Sequence, residues 1–217
     1  MRPREVKVFL FVSMCIFTIG CKQRKESFNV EMPVLVDKSQ PPVIGIYVYP
    51  TRHGPRTADE LEPQVIIAVW PDGQVLWSKD LLQGGRPYYE GKIPAERINE
   101  FFKILSSRGI FKDPTRNHVF VGPDSDFTVI AIFADGKRVT MGSQHELYER
   151  PGVLATADGI LALEGRFRDR VWAKQPNEYK RFRELWTVIR DAATELFPDE
   201  ENSTKDLHFT IRTLSAE

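Results

Sequence analysis

Two Asp-Gly dipeptides constrain the fold of this chain more than any other feature. The first, Asp72-Gly73, interrupts the apolar stretch 65–78, and the second, Asp135-Gly136, interrupts the stretch 127–141. Asp-Gly suits tight two-residue hairpin turns, because glycine adopts a positive φ without steric cost. The sequence therefore predicts two antiparallel hairpins. Including two further β-branched or aromatic segments, the predicted strands are 43–49, 65–70, 74–78, 88–93, 127–133 and 137–141.

Two other segments have the periodicity of amphipathic helices. In 94–108, four apolar residues recur at i, i+3, i+4 and i+7, which makes one stripe. The segment 176–196 keeps a similar stripe over about five turns. We expect the following stripe residues to be buried: Phe101, Phe102, Leu105, Leu185, Trp186 and Ile189. A weaker helix is predicted over 168–174.

The order of these elements indicates an α+β fold. Strands and helices do not alternate as they would in a parallel βαβ protein. We therefore predict an antiparallel sheet, built from Asp-Gly hairpins and packed against two main amphipathic helices. Length and composition agree with one packed domain, since 41% of the 217 residues are hydrophobic and 28% are charged.

The first 20 residues differ from the rest of the chain. Arg2, Arg4 and Lys7 form a basic start, and 12 residues that are apolar except for a serine and a threonine follow at 8–19. A helix that spans a membrane needs about 20 apolar residues, so this run is too short to span. Its length and basic flank are typical of a secretory signal peptide.

The end of this run, Thr18-Ile19-Gly20-Cys21, resembles the lipobox of bacterial lipoproteins, although Thr18 stands where Leu is usual. The resemblance implies cleavage before Cys21, acylation of its thiol, and anchoring to a membrane of the cell envelope. Cleavage would also remove Cys15, so Cys21 would be the only thiol left and no disulfide could form within the chain. Plain secretion or an uncleaved anchor is the alternative.

These observations divide the chain into four parts. We predict a signal peptide at 1–20, a tether at 21–42, a single α+β domain at 43–198, and a polar tail or edge strand at 199–217. The pattern over 43–142 resembles uncharacterised domains of envelope lipoproteins. That resemblance implies no activity, because its motifs are turns and helix ends.

The balance of charged residues limits the classes of partner that this chain is expected to bind. Basic and acidic residues number 30 each, which argues against a nucleic-acid-binding protein. Loss of residues 1–20 would leave 27 basic and 29 acidic residues, a net charge of −2. We expect a domain that acts by binding or structural support, with an envelope protein or a glycan as its partner.

One motif indicates an enzyme instead. Arg52-His53-Gly54-Pro55-Arg56 resembles the Arg-His-Gly motif of histidine phosphatases. The resemblance implies that His53 accepts the phosphoryl group and that Arg52 and Arg56 hold the phosphate. Ala58 departs from the longer acid-phosphatase form, which has Pro there, and the chain lacks that family's α/β alternation. An envelope hydrolase is therefore the alternative function, and a solvated basic loop is the favoured interpretation.

The remaining candidate groups have simpler explanations. Asp124-Ser125-Asp126, with His118 and His145-Glu146, could supply metal ligands, but the spacing matches no EF-hand or zinc-protease motif. We expect no metal and no cofactor. The buried-core interpretation is favoured for Trp70, Trp77 and the tyrosine pair at 88–89. A solvated, ion-paired surface is predicted for Arg166, Arg168, Arg170, Arg181 and Arg183.

The lipobox resemblance leads to the first prediction. In a bacterial host, Cys21→Ser should abolish lipidation, because the acylated thiol is lost. After a detergent phase partition, wild-type protein should enter the detergent phase, whereas the variant should be aqueous or unprocessed. Wild-type protein in the aqueous phase with an intact N-terminus would exclude the anchor.

Overall fold

A computed structural model of the chain describes residues 32–35, 40–49, 63–120, 126–144, 153–157, 159–162, 165–198, 202–204 and 209–212. Within these ranges the strands are β1 (Met32–Leu35), β2 (Ile44–Tyr49), β3 (Gln64–Val69), β4 (Gln74–Ser78), β5 (Tyr88–Lys92), β6 (Val119–Phe120), β7 (Phe127–Ala134), β8 (Lys137–Ser143), β9 (Val153–Thr156), β10 (Gly159–Ala162), β11 (Asn202–Thr204) and β12 (Phe209–Arg212). The helices are α1 (Ala95–Ser107), α2 (Gly165–Ala173) and α3 (Asn177–Thr194), with short 3-10 helices at Ile110–Lys112 and Pro114–Asn117.

The main sheet has eight strands in the order β11-β5-β4-β3-β2-β7-β8-β6. Its neighbours pair antiparallel, except that β6 runs parallel to β8. Separate two-stranded ladders join β9 to β10 and β1 to β12. This mostly antiparallel sheet with its helices confirms the predicted α+β fold.

Both Asp-Gly dipeptides form the tight turns of hairpins. In the β3–β4 hairpin, Gly73 has φ +85°, and the Asp72 carboxylate accepts a hydrogen bond from the Gln74 amide at 3.1 Å. In the β7–β8 hairpin, Asp135 and Gly136 have φ values of 50° and 71°. Two successive positive φ values are typical of a type I′ turn, which matches the twist of antiparallel strands.

The main core lies between one face of the sheet and the helices α1 and α3. A single cluster of buried side chains includes Ile46 and Ile130 of the sheet, Phe101 of α1, and Phe182 and Trp186 of α3. Five of the six predicted core residues are buried as expected. The prediction for Phe102 is wrong, because its side chain is only partly buried and packs against the edge of the cluster.

The opposite face of the sheet is also apolar and buried. Tyr47, Leu76 and Ala131 are each at most 2% exposed and belong to a second cluster, which also contains Trp70. The indole N–H of Trp70 donates a hydrogen bond to the Gln40 carbonyl at 3.1 Å. The core interpretation of the tryptophans is confirmed, since Trp70 and Trp77 are 3% and 5% exposed.

Several elements were not predicted. Residues expected to be irregular before β7 form a 3-10 helix and β6, and the β9–β10 hairpin lies in a segment without a predicted strand. Helix α2 begins three residues earlier than predicted. Strand β1 lies in the predicted tether. Strands β11 and β12 lie in 199–217, where a polar tail or an edge strand was predicted, and β11 is an edge strand of the main sheet. The domain boundaries themselves stay predictions.

The apolar stripe of α3 leads to a stability prediction. Trp186 is 2% exposed, and its ring stacks on that of Phe182 at 5.6 Å between centroids. Trp186→Ala should lower the free energy of unfolding by about 3–5 kcal/mol, because it leaves a large cavity. Urea unfolding followed by circular dichroism measures this change. Ile104→Ala, at a partly exposed site on α1, is the control and should cost less than about 1 kcal/mol; equal losses would contradict the placement of the stripe.

Candidate functional site

A cleft of about 850 Å³ lies between β9, α2 and α3. Its volume falls within the range of about 300–1,000 Å³ that is usual for small-molecule sites. The cleft is lined by Val153, Leu154, Ala155, Arg168, Asp169, Trp172, Lys180, Arg183, Glu184, Thr187 and Val188.

Short polar contacts hold the walls of the cleft together. The Lys180 ammonium donates to the Ala173 carbonyl at 2.7 Å, which ties the start of α3 to the end of α2. The Gln175 side chain accepts a hydrogen bond from the Ala157 amide at 2.9 Å and donates to the Val171 carbonyl at 3.3 Å. Gln175 thus connects α2 to the end of β9, and Lys180 connects α3 to α2, so the cleft is built into the fold.

The most unusual lining residue is Arg183, which is only 6% exposed. It lies four residues after Tyr179 and three before Trp186, so helical spacing places it on the buried face of α3. The prediction that Arg183 belongs to a solvated surface is therefore wrong. A guanidinium in such a low-dielectric setting attracts an anion more strongly than a surface guanidinium does.

The charges of the cleft favour an anionic ligand. Among the lining residues that the structure describes, Arg168, Lys180 and Arg183 supply three positive charges, and the carboxylates of Asp169 and Glu184 oppose them. One of these, Glu184, already contacts Arg181 outside the cleft at 2.9 Å. Arg168 is exposed and forms no ion pair within the described part of the chain.

The rest of the cleft lining is mostly apolar. Trp172 is partly buried and lies 6.1 Å from the Tyr179 ring, between centroids, in an edge-on arrangement. Val153, Leu154 and Val188 extend this surface. The Thr187 hydroxyl donates to the Arg183 carbonyl at 3.0 Å. The lining therefore combines cations with an aromatic surface, which suits binding of an organic anion.

A polar seam fixes the outer side of α3. The Arg181 guanidinium contacts the Asp113 carboxylate at 2.7 Å and donates to the Arg108 carbonyl at 2.9 Å. At the start of the helix, His118 lies 3.1 Å from Glu178. The ion-paired surface predicted for Arg181 is thus confirmed, and the seam holds α3 against the segment that follows α1.

The Asp113 carboxyl titrates below its ordinary range. Burial raises the pKa of Asp113, but hydrogen bonds from Thr115 and Arg181 outweigh burial, so the pKa lies below the ordinary value of an aspartate. The unfolded chain then binds more protons at acid pH than the folded chain does. This contribution to stability is present above pH about 3.9 and is lost as the pH falls through the pKa of the folded state.

Most site residues predicted from sequence motifs lie outside the described residues. These are Cys21, Arg52, His53, Arg56, Asp124, Ser125, His145 and Glu146. Asp126 is partly buried beside β7, and His118 contacts Glu178. Within the described ranges, no group of three or more His, Cys, Asp or Glu side chains could hold a metal ion. None of the described helices is long and apolar enough to cross a membrane.

The cleft was not predicted from the sequence. Its β9 wall lies in a segment broken by glycine and proline, and its arginines were assigned to the surface. One feature of the sequence could have indicated that Arg183 is buried. Its helical spacing places it on the same side of α3 as the apolar stripe.

Comparison with known proteins identifies no relative. No protein-family model matches the sequence, and no curated protein matches it. The resemblances to lipoproteins and to histidine phosphatases therefore stay predictions from the motifs alone.

Proposed function

We propose that this protein is an exported binding domain, anchored to a membrane of the cell envelope by a lipid on Cys21, and that its cleft binds an organic anion. The observation that carries the binding function is the buried Arg183 beside the Trp172 surface in one cleft. The anchor is supported by the basic start, the short apolar run and the lipobox-like residues. Secretion without a lipid is the alternative location.

The cations that line the cleft support the proposal that the ligand carries an anionic group. A guanidinium donates parallel hydrogen bonds to carboxylate or phosphate oxygens, and such charge-assisted bonds are about twice as strong as neutral ones. Arg183 lies on a helix of the core, so its position is held by packing rather than by a loop. Arg168 and Lys180 lie on the same cleft and add to the positive potential.

The apolar wall supports a ligand with an apolar or ring-shaped body. Trp172, Val153 and Val188 offer a surface that gains about 25 cal/mol for each Å² of apolar area removed from water. A carboxylate on a small molecule, or on an envelope protein or glycan, would supply the anionic end. A nucleic acid is not proposed, since the positive and negative charges of the chain balance.

A pair of arginines on α2 tests this proposal. Arg168 lines the cleft, whereas Arg170 does not, and both are exposed. The probe is 8-anilinonaphthalene-1-sulfonate, which carries an anionic group on an aromatic body. In a fluorescence titration, Arg168→Ala should raise the dissociation constant of the probe about tenfold. This is the effect expected from the loss of one charge-assisted hydrogen bond. Arg170→Ala is the matched control and should leave the affinity within about twofold.

Two further measurements make the result decisive. Trp172→Ala should also weaken binding of the probe, because it removes the aromatic wall. Thermal unfolding should be cooperative for every variant, since a loosened core would bind the probe nonspecifically. Equal affinities for the two arginine variants, with the fold intact, would exclude the cleft as the binding site.

One observation favours the alternative, an envelope hydrolase. Tyr49 lies opposite Phe127, and Thr128 lies opposite Ser143. The described residues that border 50–62, 121–125 and 145–152 therefore lie at the same end of the neighbouring strands β2, β7 and β8. The candidates Arg52, His53 and Arg56 belong to the first of these segments. They would act as a phosphate site with His53 as the nucleophile.

The hydrolase is tested at His53. We predict no His53-dependent turnover of generic phosphate monoesters, because the motif lacks an evident group to orient the imidazole. His53→Ala should also leave the free energy of unfolding within about 0.5 kcal/mol of wild type. Both proteins are assayed from acid to mildly alkaline pH. Turnover that vanishes in the variant, with the fold intact, would favour the hydrolase over the binding domain.

A further inference from the structure

Helix α2 has an unusual surface outside the cleft. None of its nine residues is buried. Phe167, in its first turn, is 54% exposed, more than any other large apolar side chain in the described part of the chain. An exposed aromatic side chain on a helix with so few packing contacts indicates a surface that meets something else.

Positive charge surrounds this ring. The Arg166 guanidinium lies over the Phe167 ring at 5.4 Å from its centroid. At 100° per residue, Phe167 and Arg170 lie on one side of α2, and the cleft residues Arg168, Asp169 and Trp172 lie on the other. Lys174 follows directly after the last residue of the helix. Arg170 and Lys174 are exposed, and neither forms an ion pair within the described ranges. We define the outer face of α2 as Arg166, Phe167 and Arg170 of the helix, together with Lys174 directly after it.

We propose that the outer face of α2 binds the surface of an anionic phospholipid membrane. This face can make two kinds of contact with such a membrane. Its three cations attract the phosphate headgroups, and Phe167 enters the boundary between headgroups and acyl chains. The face carries no carboxylate, because Asp169 lines the cleft. The contact depends neither on a ligand in the cleft nor on a lipid at Cys21.

A lipid surface fits this face better than a folded protein does. A stable protein interface needs a packed apolar centre that excludes water. The outer face offers one aromatic ring among long, flexible cations, which cannot form such a centre. A fluid anionic surface needs no matching shape and gains from each cation separately.

Hydrogen exchange resolved by peptide tests the proposal without a label. The whole chain, in the form that a bacterial host makes, is mixed with phosphatidylcholine vesicles or with vesicles containing about one third phosphatidylglycerol. Exchange over 165–174 should slow by about threefold or more on the anionic vesicles alone, while exchange over α1 should not change. The protection should disappear at high salt, because salt screens charges at a surface.

Matched charge reversals locate the contact. Arg170→Glu with Lys174→Glu should abolish the protection of α2. Lys103→Glu with Lys112→Glu, which reverses two exposed cations elsewhere, should preserve it. Unchanged exchange over α3 shows that each variant is folded. Arg168 lines the cleft and is not part of the outer face of α2. Arg168→Ala should therefore leave the slowed exchange over 165–174 on anionic vesicles unchanged.

Three outcomes would overturn the proposal. The first is no slowing of exchange over α2 on anionic vesicles. The second is equal slowing on phosphatidylcholine alone, which would remove the role of charge. The third is equal slowing by soluble polyglutamate, which would indicate an acidic protein partner.

Discussion

The packing of α3 against the sheet is the interaction on which the rest of the structure depends. Its apolar stripe supplies Phe182 and Trp186 to the main core, and Phe120 of β6 packs edge-on against Phe182 at 4.5 Å between ring centroids. The same helix presents Arg183 and Val188 to the cleft. Because one helix serves both the core and the cleft, the packing that stabilises the fold also sets the positions of these cleft residues.

The arginines after residue 165 show how surroundings give one side chain different roles. Arg181 forms an ion pair that holds α3 to the segment after α1. Arg183, two residues later, is buried at the cleft, and Arg170 is exposed on the outer face of α2. The ion pair of Arg181 stabilises the fold. The buried position of Arg183 suits recognition of an anion, and the exposed position of Arg170 suits contact with a charged surface. A proposed binding site and a proposed membrane contact thus use opposite sides of one short helix.

Local chemistry explains which elements could be predicted. The Asp-Gly turns and the spacing of Phe101 and Leu105 are signals within a few residues, and the structure confirms both. The β9–β10 hairpin and β6 have no such signal, because short strands depend on partners that are distant in the sequence. Phe102 shows a limit of periodicity: it shares the stripe of α1, but it lies at the edge of the contact and stays partly exposed.

The sequence by itself determined the fold class, the two main helices and the hairpin turns, because turn geometry and helical periodicity are properties of neighbouring residues. The predictions of export and lipid attachment also come from the sequence alone, because they rest on linear motifs at residues 2–21. Only the tertiary structure decided which of several similar arginines is buried, and that β9, α2 and α3 enclose a cleft. Burial and enclosure depend on segments that meet in space. The phase of Arg183 in the stripe of α3 indicates its side of that helix, but it does not encode which distant segments enclose the cleft.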